Sequence, residues 1–259
     1  MFSPRALALL LPLTLFLSAC SGPTIKDSRD VYNEVLAQQA EETTVKSDFE
    51  PGLVSLISQD SGNYLFRGNM PISNKTFRYK ELRASLEQAA PGKVLPKEIY
   101  LVDISLINSI NPNEAADLEI ETSFWKTNST LGRLINHPVY GSLTSPNDYP
   151  KKVRRQLEKI PTLSNTDVLL ENIHSLLQSR QLNGVPLVLY IHCEAGKDRT
   201  GEIAAAYAMK YQQSSYADAY ANAKRIAKRD LGKNSRNELQ WYAYFLKDIK
   251  KVSTVGDIR

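Results

Sequence analysis

The stretch His192-Cys193-Glu194-Ala195-Gly196-Lys197-Asp198-Arg199-Thr200-Gly201 constrains this chain more than any other part of it. Upstream, Val185-Pro186-Leu187-Val188-Leu189-Tyr190-Ile191 is short, apolar and rich in strand formers; downstream, Glu202 to Met209 has helix-favouring composition. A cysteine and an arginine, with five residues between them, are therefore placed where a strand gives way to a helix N-terminus. Helices are predicted over Phe77 to Leu86, Asp167 to Leu182, Tyr216 to Lys228 and Glu238 to Ile249, and a further strand over Ile99 to Val102. Alternation of this kind indicates an α/β fold, a central and mostly parallel sheet with helices on both faces, in a single domain.

Hydrolysis of a phosphate monoester needs a dianion held still, a nucleophile in line with phosphorus and a proton for the leaving oxygen. A free thiol has a pKa of about 8.5, and a helix N-terminus, converging amides and a cation can lower it. Backbone N–H groups of Glu194, Ala195, Gly196, Lys197, Asp198 and Arg199, turned inward as a nest, suit both a Cys193 thiolate and phosphate oxygens. The planar guanidinium of Arg199 matches two of those oxygens. Gly196 permits the close approach or positive φ of a tight curl. Thr200 is placed to help the sulfur leave, and the implied reaction passes through a cysteinyl-phosphate.

Cys-x5-Arg-Thr after an apolar strand resembles the signature of the cysteine-dependent protein tyrosine and dual-specificity phosphatases. The fuller string is similar to that of bacterial secreted members acting on phosphotyrosine and, in some cases, on phosphoserine and phosphoinositides. The resemblance implies Cys193 as nucleophile, Arg199 as phosphate clamp, His192 as a tuner of thiol acidity and Thr200 as an aid to dephosphorylation. It implies a phosphatase-like fold and no cofactor. Upstream, Tyr64 to Pro71 and Ile99 to Asp103 resemble weaker segments of compact dual-specificity members.

Family members carry a general-acid aspartate on a loop before the cysteine, and the matching stretch here, Leu134 to Leu143, has none. Asp148, flanked by Pro146 and Pro150, is one candidate, with an N-cap role for the segment after Pro150 as the alternative. Asp198 is the other, because lipid phosphatases resembling myotubularin and the Sac family also place aspartate before the arginine; otherwise it orients Arg199. His137 precedes a proline and reads as a turn residue. Lys197 deepens the positive potential over the pocket, whereas Glu194 opposes it unless its side chain points outward. Phosphorylated protein, phosphoinositide and inositol phosphate remain open as substrates, with a phytase-like inositol polyphosphate phosphatase and a phosphate-binding pseudophosphatase as alternatives.

Arg5 followed by the apolar run Ala6 to Leu17 and by Leu17-Ser18-Ala19-Cys20 reads as a bacterial lipoprotein leader, residues 1–19, too short to span a membrane comfortably. Cys20 is then the lipidated residue, and Ser21 after it places the protein at the outer membrane facing the periplasm, anchored by more than one chain. Residues 20–50 read as a polar tether, with a helix near Val31 to Gln39, residues 51–250 as the catalytic domain and 251–259 as a tail. Only two cysteines occur, so no disulfide framework exists. The three histidines are scattered, which argues against a metal. A formal charge of +4 without a dense basic tract argues against nucleic acid. Gln240 to Leu246 has the spacing of a core-packing helix, and Ala223 to Arg229 that of a solvated face. Asn108 to Ser129 reads as an insertion near the pocket.

Overall fold

The computed structural model describes residues 48–181 and 184–258. The leader, Cys20, the Val31 to Gln39 helix and most of the tether lie outside these residues, as does the end of the predicted Asp167 to Leu182 helix. Five strands form the main sheet: β1 (Ser55–Asp60), β2 (Asn63–Asn69), β5 (Tyr100–Ser105), β6 (Gly132–Asn136) and β7 (Leu187–Cys193), in the order β1-β2-β7-β5-β6. Only the β1/β2 pair is antiparallel; β2/β7, β7/β5 and β5/β6 run parallel. Strands β3 (Ile72–Ser73) and β4 (Thr76–Phe77) make a separate hairpin.

Seven helices flank the sheet: α1 (Tyr79–Ala89), α2 (Pro112–Thr127), α3 (Lys151–Leu157), α4 (Thr166–Leu177), α5 (Asp198–Tyr211), α6 (Tyr216–Ala227) and α7 (Lys233–Tyr244). The expected mostly parallel α/β architecture is therefore the one observed. Strand β7 is central, and from Val188 to Cys193 every residue is buried, which is why it reads as a continuous apolar run without alternation. The parallel register sets Gly68 and Asn69 beside His192 and Cys193 on one side and Ser105 beside His192 on the other. All these strands end at one edge, where open α/β sheets bind ligands.

Two departures from the expected pattern matter for the site. Within Asn108 to Ser129, read as an insertion near the pocket, Pro112 to Thr127 form α2, started by Asn111, whose side chain accepts from the Asn113 amide at 3.0 Å. Its buried residues are Glu114, Asp117, Glu121 and Trp125, spaced so that they share one helix face. The segment after residue 250 gives Val255 and Ile258 to the core. Trp241 and Tyr242 pack inward, while half-buried Tyr244 lies under the Arg154 guanidinium, 3.7 Å from its ring centre. In the Ala223 to Arg229 run, Lys224 pairs with Asp230 and Arg225 with Asn222. Among the described residues no helix is long and apolar enough to cross a membrane.

Candidate active site

Cys193 is the last residue of β7 and is buried. The chain then curls through residues 194–197 into α5, whose first residues are Asp198 and Arg199. The curl is held from outside by its carbonyls. Glu194 O accepts from Met70 N at 3.2 Å, and Gly196 O accepts from Arg67 Nη2 at 2.8 Å. Those two carbonyls turn away from the curl, the arrangement in which amides converge on an anion at a helix N-terminus. Gly196 has φ +65°, and a Cβ there would come within 2.5 Å of Gly68 O and 2.6 Å of Asn69 N. A side chain at this position has neither the backbone conformation nor the space it needs. Gly68 is required for a different reason: Tyr190 crosses it to donate to Asn69 O at 2.6 Å, and a Cβ would strike the hydroxyl.

Arg67, on β2, is a cation that sequence reasoning did not identify. It is almost fully buried beneath the curl, and its Nε and Nη1 have no hydrogen-bond partner. Burial pulls its pKa down to about 10, against the opposing influence of the Cys193 sulfur.

Arg199 is also buried and is held in a fork by Glu114 of α2: Nη1 donates to Oε2 at 2.9 Å and Nη2 to Oε1 at 2.5 Å. Glu114 Oε2 also accepts from the Asn108 amide at 2.8 Å and from Asn108 Nδ2 at 3.2 Å. A guanidinium carries five N–H groups, so the carboxylate occupies only part of it.

His192 lies between two strands and under α2. Its Nε2 is 3.0 Å from Asp103 Oδ1 and 3.1 Å from Glu121 Oε1, and all three residues are fully buried. Burial opposes the imidazolium, but Glu121 and Asp103 together outweigh it and raise the His192 pKa well above 6.5. Burial raises Glu121 as well, with His192 pulling the other way. Trp125 Nε1 donates to Asp103 Oδ2 at 2.8 Å and fixes that carboxylate. These three groups also have the residue types of a metal site. The short N–O separations make them ion-pair partners, although His192 Nε2, Asp103 Oδ1 and both Glu121 oxygens lack hydrogen-bond geometry.

The expected general acids have other partners. Asp198 was expected either to donate a proton or to orient Arg199. It pairs instead with Arg229, at 2.8 Å from Nη1 to Oδ1 and 2.6 Å from Nη2 to Oδ2, and also accepts from Gly232 N at 2.7 Å. These three contacts tie the start of α5 to the α6–α7 connection. Asp148 is exposed and closes a capping box on the turn Pro146–Asp148, accepting from Ser145 N at 3.0 Å. It caps its own turn rather than the segment after Pro150. It lines an open groove of about 650 Å³ with Tyr216, Tyr220, Lys233 and Arg236. His137 Nε2 is 2.7 Å from Ser164 O, as fits a turn residue.

Within the curl, Glu194 is buried, contrary to the outward placement considered for it, while Ala195 and Lys197 are partly accessible. Thr200 is fully buried and its hydroxyl has no hydrogen-bond partner. Two residues further along α5, Glu202 is buried close to Glu238 of α7. Burial, followed by the charge of Glu238, raises Glu202 well above 4.5, and burial raises Glu238 to about 7.

A cysteine at the tip of a central parallel strand, a curl held by its carbonyls and an arginine on the first turn of the next helix define a cysteine-dependent phosphatase. The chain belongs to the tyrosine phosphatase family, whose model matches residues 80–221, more than half of the 259 residues. Similar solved structures include kinase associated phosphatase carrying serine at its catalytic cysteine, with 11% identity, TM-score 0.45, and coverage of 81% of this chain and 98% of that one. The core catalytic domain of the PP-IP phosphatase Siw14 from S. cerevisiae shares 18% identity at TM-score 0.42, covering 80% and 94%. Human DUSP28 shares 14% at TM-score 0.38, covering 76% and 96%. No curated protein sequence matches the chain.

Proposed function

We propose that this protein hydrolyses phosphate monoesters of the protein tyrosine and dual-specificity type, with phosphoinositides as further substrates. The observation that carries the reading is the tight curl at Gly196, which follows Cys193 at the end of β7 and leads directly into α5 with Arg199 on its first turn. The Cys193 thiolate attacks phosphorus as the ester P–O bond breaks, and the leaving oxygen takes a proton from solvent water. Water then cleaves the S–P bond, releasing inorganic phosphate and regenerating the thiolate. Amides of residues 194–199 and the Arg199 guanidinium hold the equatorial oxygens. His192, paired with Asp103 and Glu121, anchors the strand behind the sulfur. Thr200 assists the second step. No cofactor takes part.

The engagement of Asp198 by Arg229 and Gly232 favours a second reading, a pseudophosphatase that binds phosphate without an effective acid. Turnover of p-nitrophenyl phosphate separates the two, because its leaving group scarcely needs a proton. Hydrolysis that disappears in Cys193→Ser with tungstate binding retained supports the enzyme; no hydrolysis by wild-type protein that binds tungstate supports the binding module. Half-buried Lys197 at the rim also leaves an inositol polyphosphate as an alternative substrate. Phosphopeptides, phosphoinositides and inositol phosphates assayed in parallel decide between these. We further place the protein in the bacterial envelope, lipidated at Cys20 and facing the periplasm from the outer membrane. Cys20→Ala releasing it from the membrane fraction is the result this placement requires.

A further inference from the structure

Of the seven large hydrophobic side chains that stand well exposed among the described residues, four fall between Lys151 and Val168: Val153 at 45%, Ile160 at 63%, Leu163 at 76% and Val168 at 43%. Isolated exposed aliphatics are ordinary, but a cluster is not. Lys151, Lys152, Arg155 and Lys159 are exposed in the same stretch. Its acids do little to offset them. Glu158 is buried against Arg154, Asp167 is taken by Lys210 and Lys250, and Asp248 lies 3.8 Å from Arg155. Three exposed lysines, Lys151, Lys152 and Lys159, therefore share this stretch with the four exposed aliphatics.

Lysine is depleted and aromatics enriched at protein–protein interfaces, the reverse of what this surface offers. Aliphatic side chains flanked by lysines match the boundary of an anionic bilayer, where the former enter the acyl region and the latter meet headgroups. Leu163 is also coupled to the site. Its neighbour Ser164 accepts from the Tyr140 amide through Oγ at 3.0 Å, and its carbonyl is 2.7 Å from His137 Nε2. His137 directly follows β6, and its amide donates to Ser105 O at the sheet edge from which the Cys193 curl departs. We propose that the surface from Lys151 to Val168 docks on membranes rich in anionic lipid and holds that edge near the headgroups.

The test uses full-length protein carrying Leu163→Trp, with vesicles of phosphatidylcholine containing brominated acyl chains, with or without phosphatidylglycerol. The native Trp125 and Trp241 are buried and provide a low background. Expected are a blue shift and quenching of the added indole on anionic vesicles only. In this background, changing Lys151, Lys152 and Lys159 together to Gln should weaken partitioning about a hundredfold, at about fivefold per lysine. Ile160→Trp reports the same contact independently, should Leu163→Trp fold poorly. Because quenching reports contact at this patch, a lipid at Cys20 does not imitate it. Vesicle-bound protein without quenching, equal quenching on neutral vesicles, or no binding to either vesicle overturns the proposal. So does a self-association in sedimentation that Leu163→Glu abolishes, since that would assign the patch to a second copy of the chain.

Discussion

Replacing Glu114 by alanine leaves the buried Arg199 guanidinium without its carboxylate. The two side chains are 8% and 1% exposed, so little water reaches the pair. Two unit charges about 4 Å apart at an effective dielectric near 20 attract by about 4 kcal/mol. Removing one partner of a buried pair costs about 3–5 kcal/mol, in the same range. At about 2–4 °C per kcal/mol for a domain of this size, Tm should fall by roughly 6–20 °C. The loss should be partly reversible. If Arg199 divides its donors between Glu114 and a bound oxyanion, the anion replaces the missing negative charge, and tungstate should bind the variant more tightly than wild type. At a concentration of about a hundred times Kd, the ligand adds about 2.7 kcal/mol, enough to recover most of the loss. Calorimetry of both proteins across a tungstate series checks this. Equal tungstate shifts in the two proteins would show that Arg199 does not hold the anion, and an unchanged Tm would show that the fork contributes nothing.

Gly196→Ala should lower stability by more than about 2 kcal/mol, from positive-φ strain together with the collision with Gly68 O, and should abolish tungstate binding, both read by thermal shift. Glu238 titrates near 7 in the fold against an ordinary 4.5, so its contribution is fully present below about pH 4.5 and is lost as pH rises through 7. Glu238→Gln should therefore gain up to about 3 kcal/mol on wild type between pH 5 and 8 in urea titrations; parallel curves would show that Glu238 is already ionised. Asp198→Asn should loosen Arg229 and reduce turnover of good and poor leaving groups alike, as a positioning role demands, whereas a loss confined to poor leaving groups would restore Asp198 as the acid. Asp148→Asn should leave both rates unchanged.

The strand–curl–helix from Leu187 to Tyr211 was legible because each part carries its own local signal: a continuous apolar run, a glycine in the turn and a helix-forming stretch of small side chains. The surroundings of Arg199 and His192 were not. Helix α2 turns Glu114, Asp117 and Glu121 inward, so a search for apolar periodicity passes over it. The available signal was the carboxylate spacing, which continues to Trp125 and repeats as one helix face. Arg67 lay inside a recognised segment, but its charge offered no hint of burial between β2 and the curl. Glu202 counted as a helix former, although α5 is buried along most of its length. Asp198 was correctly located in the loop, but its partner comes from a connection more than thirty residues downstream, which no local pattern can supply.

The resting site already carries its own counterions: Arg199, His192 and Arg229 each meet a carboxylate before any substrate arrives. An incoming dianion must therefore compete with Glu114 for the Arg199 guanidinium.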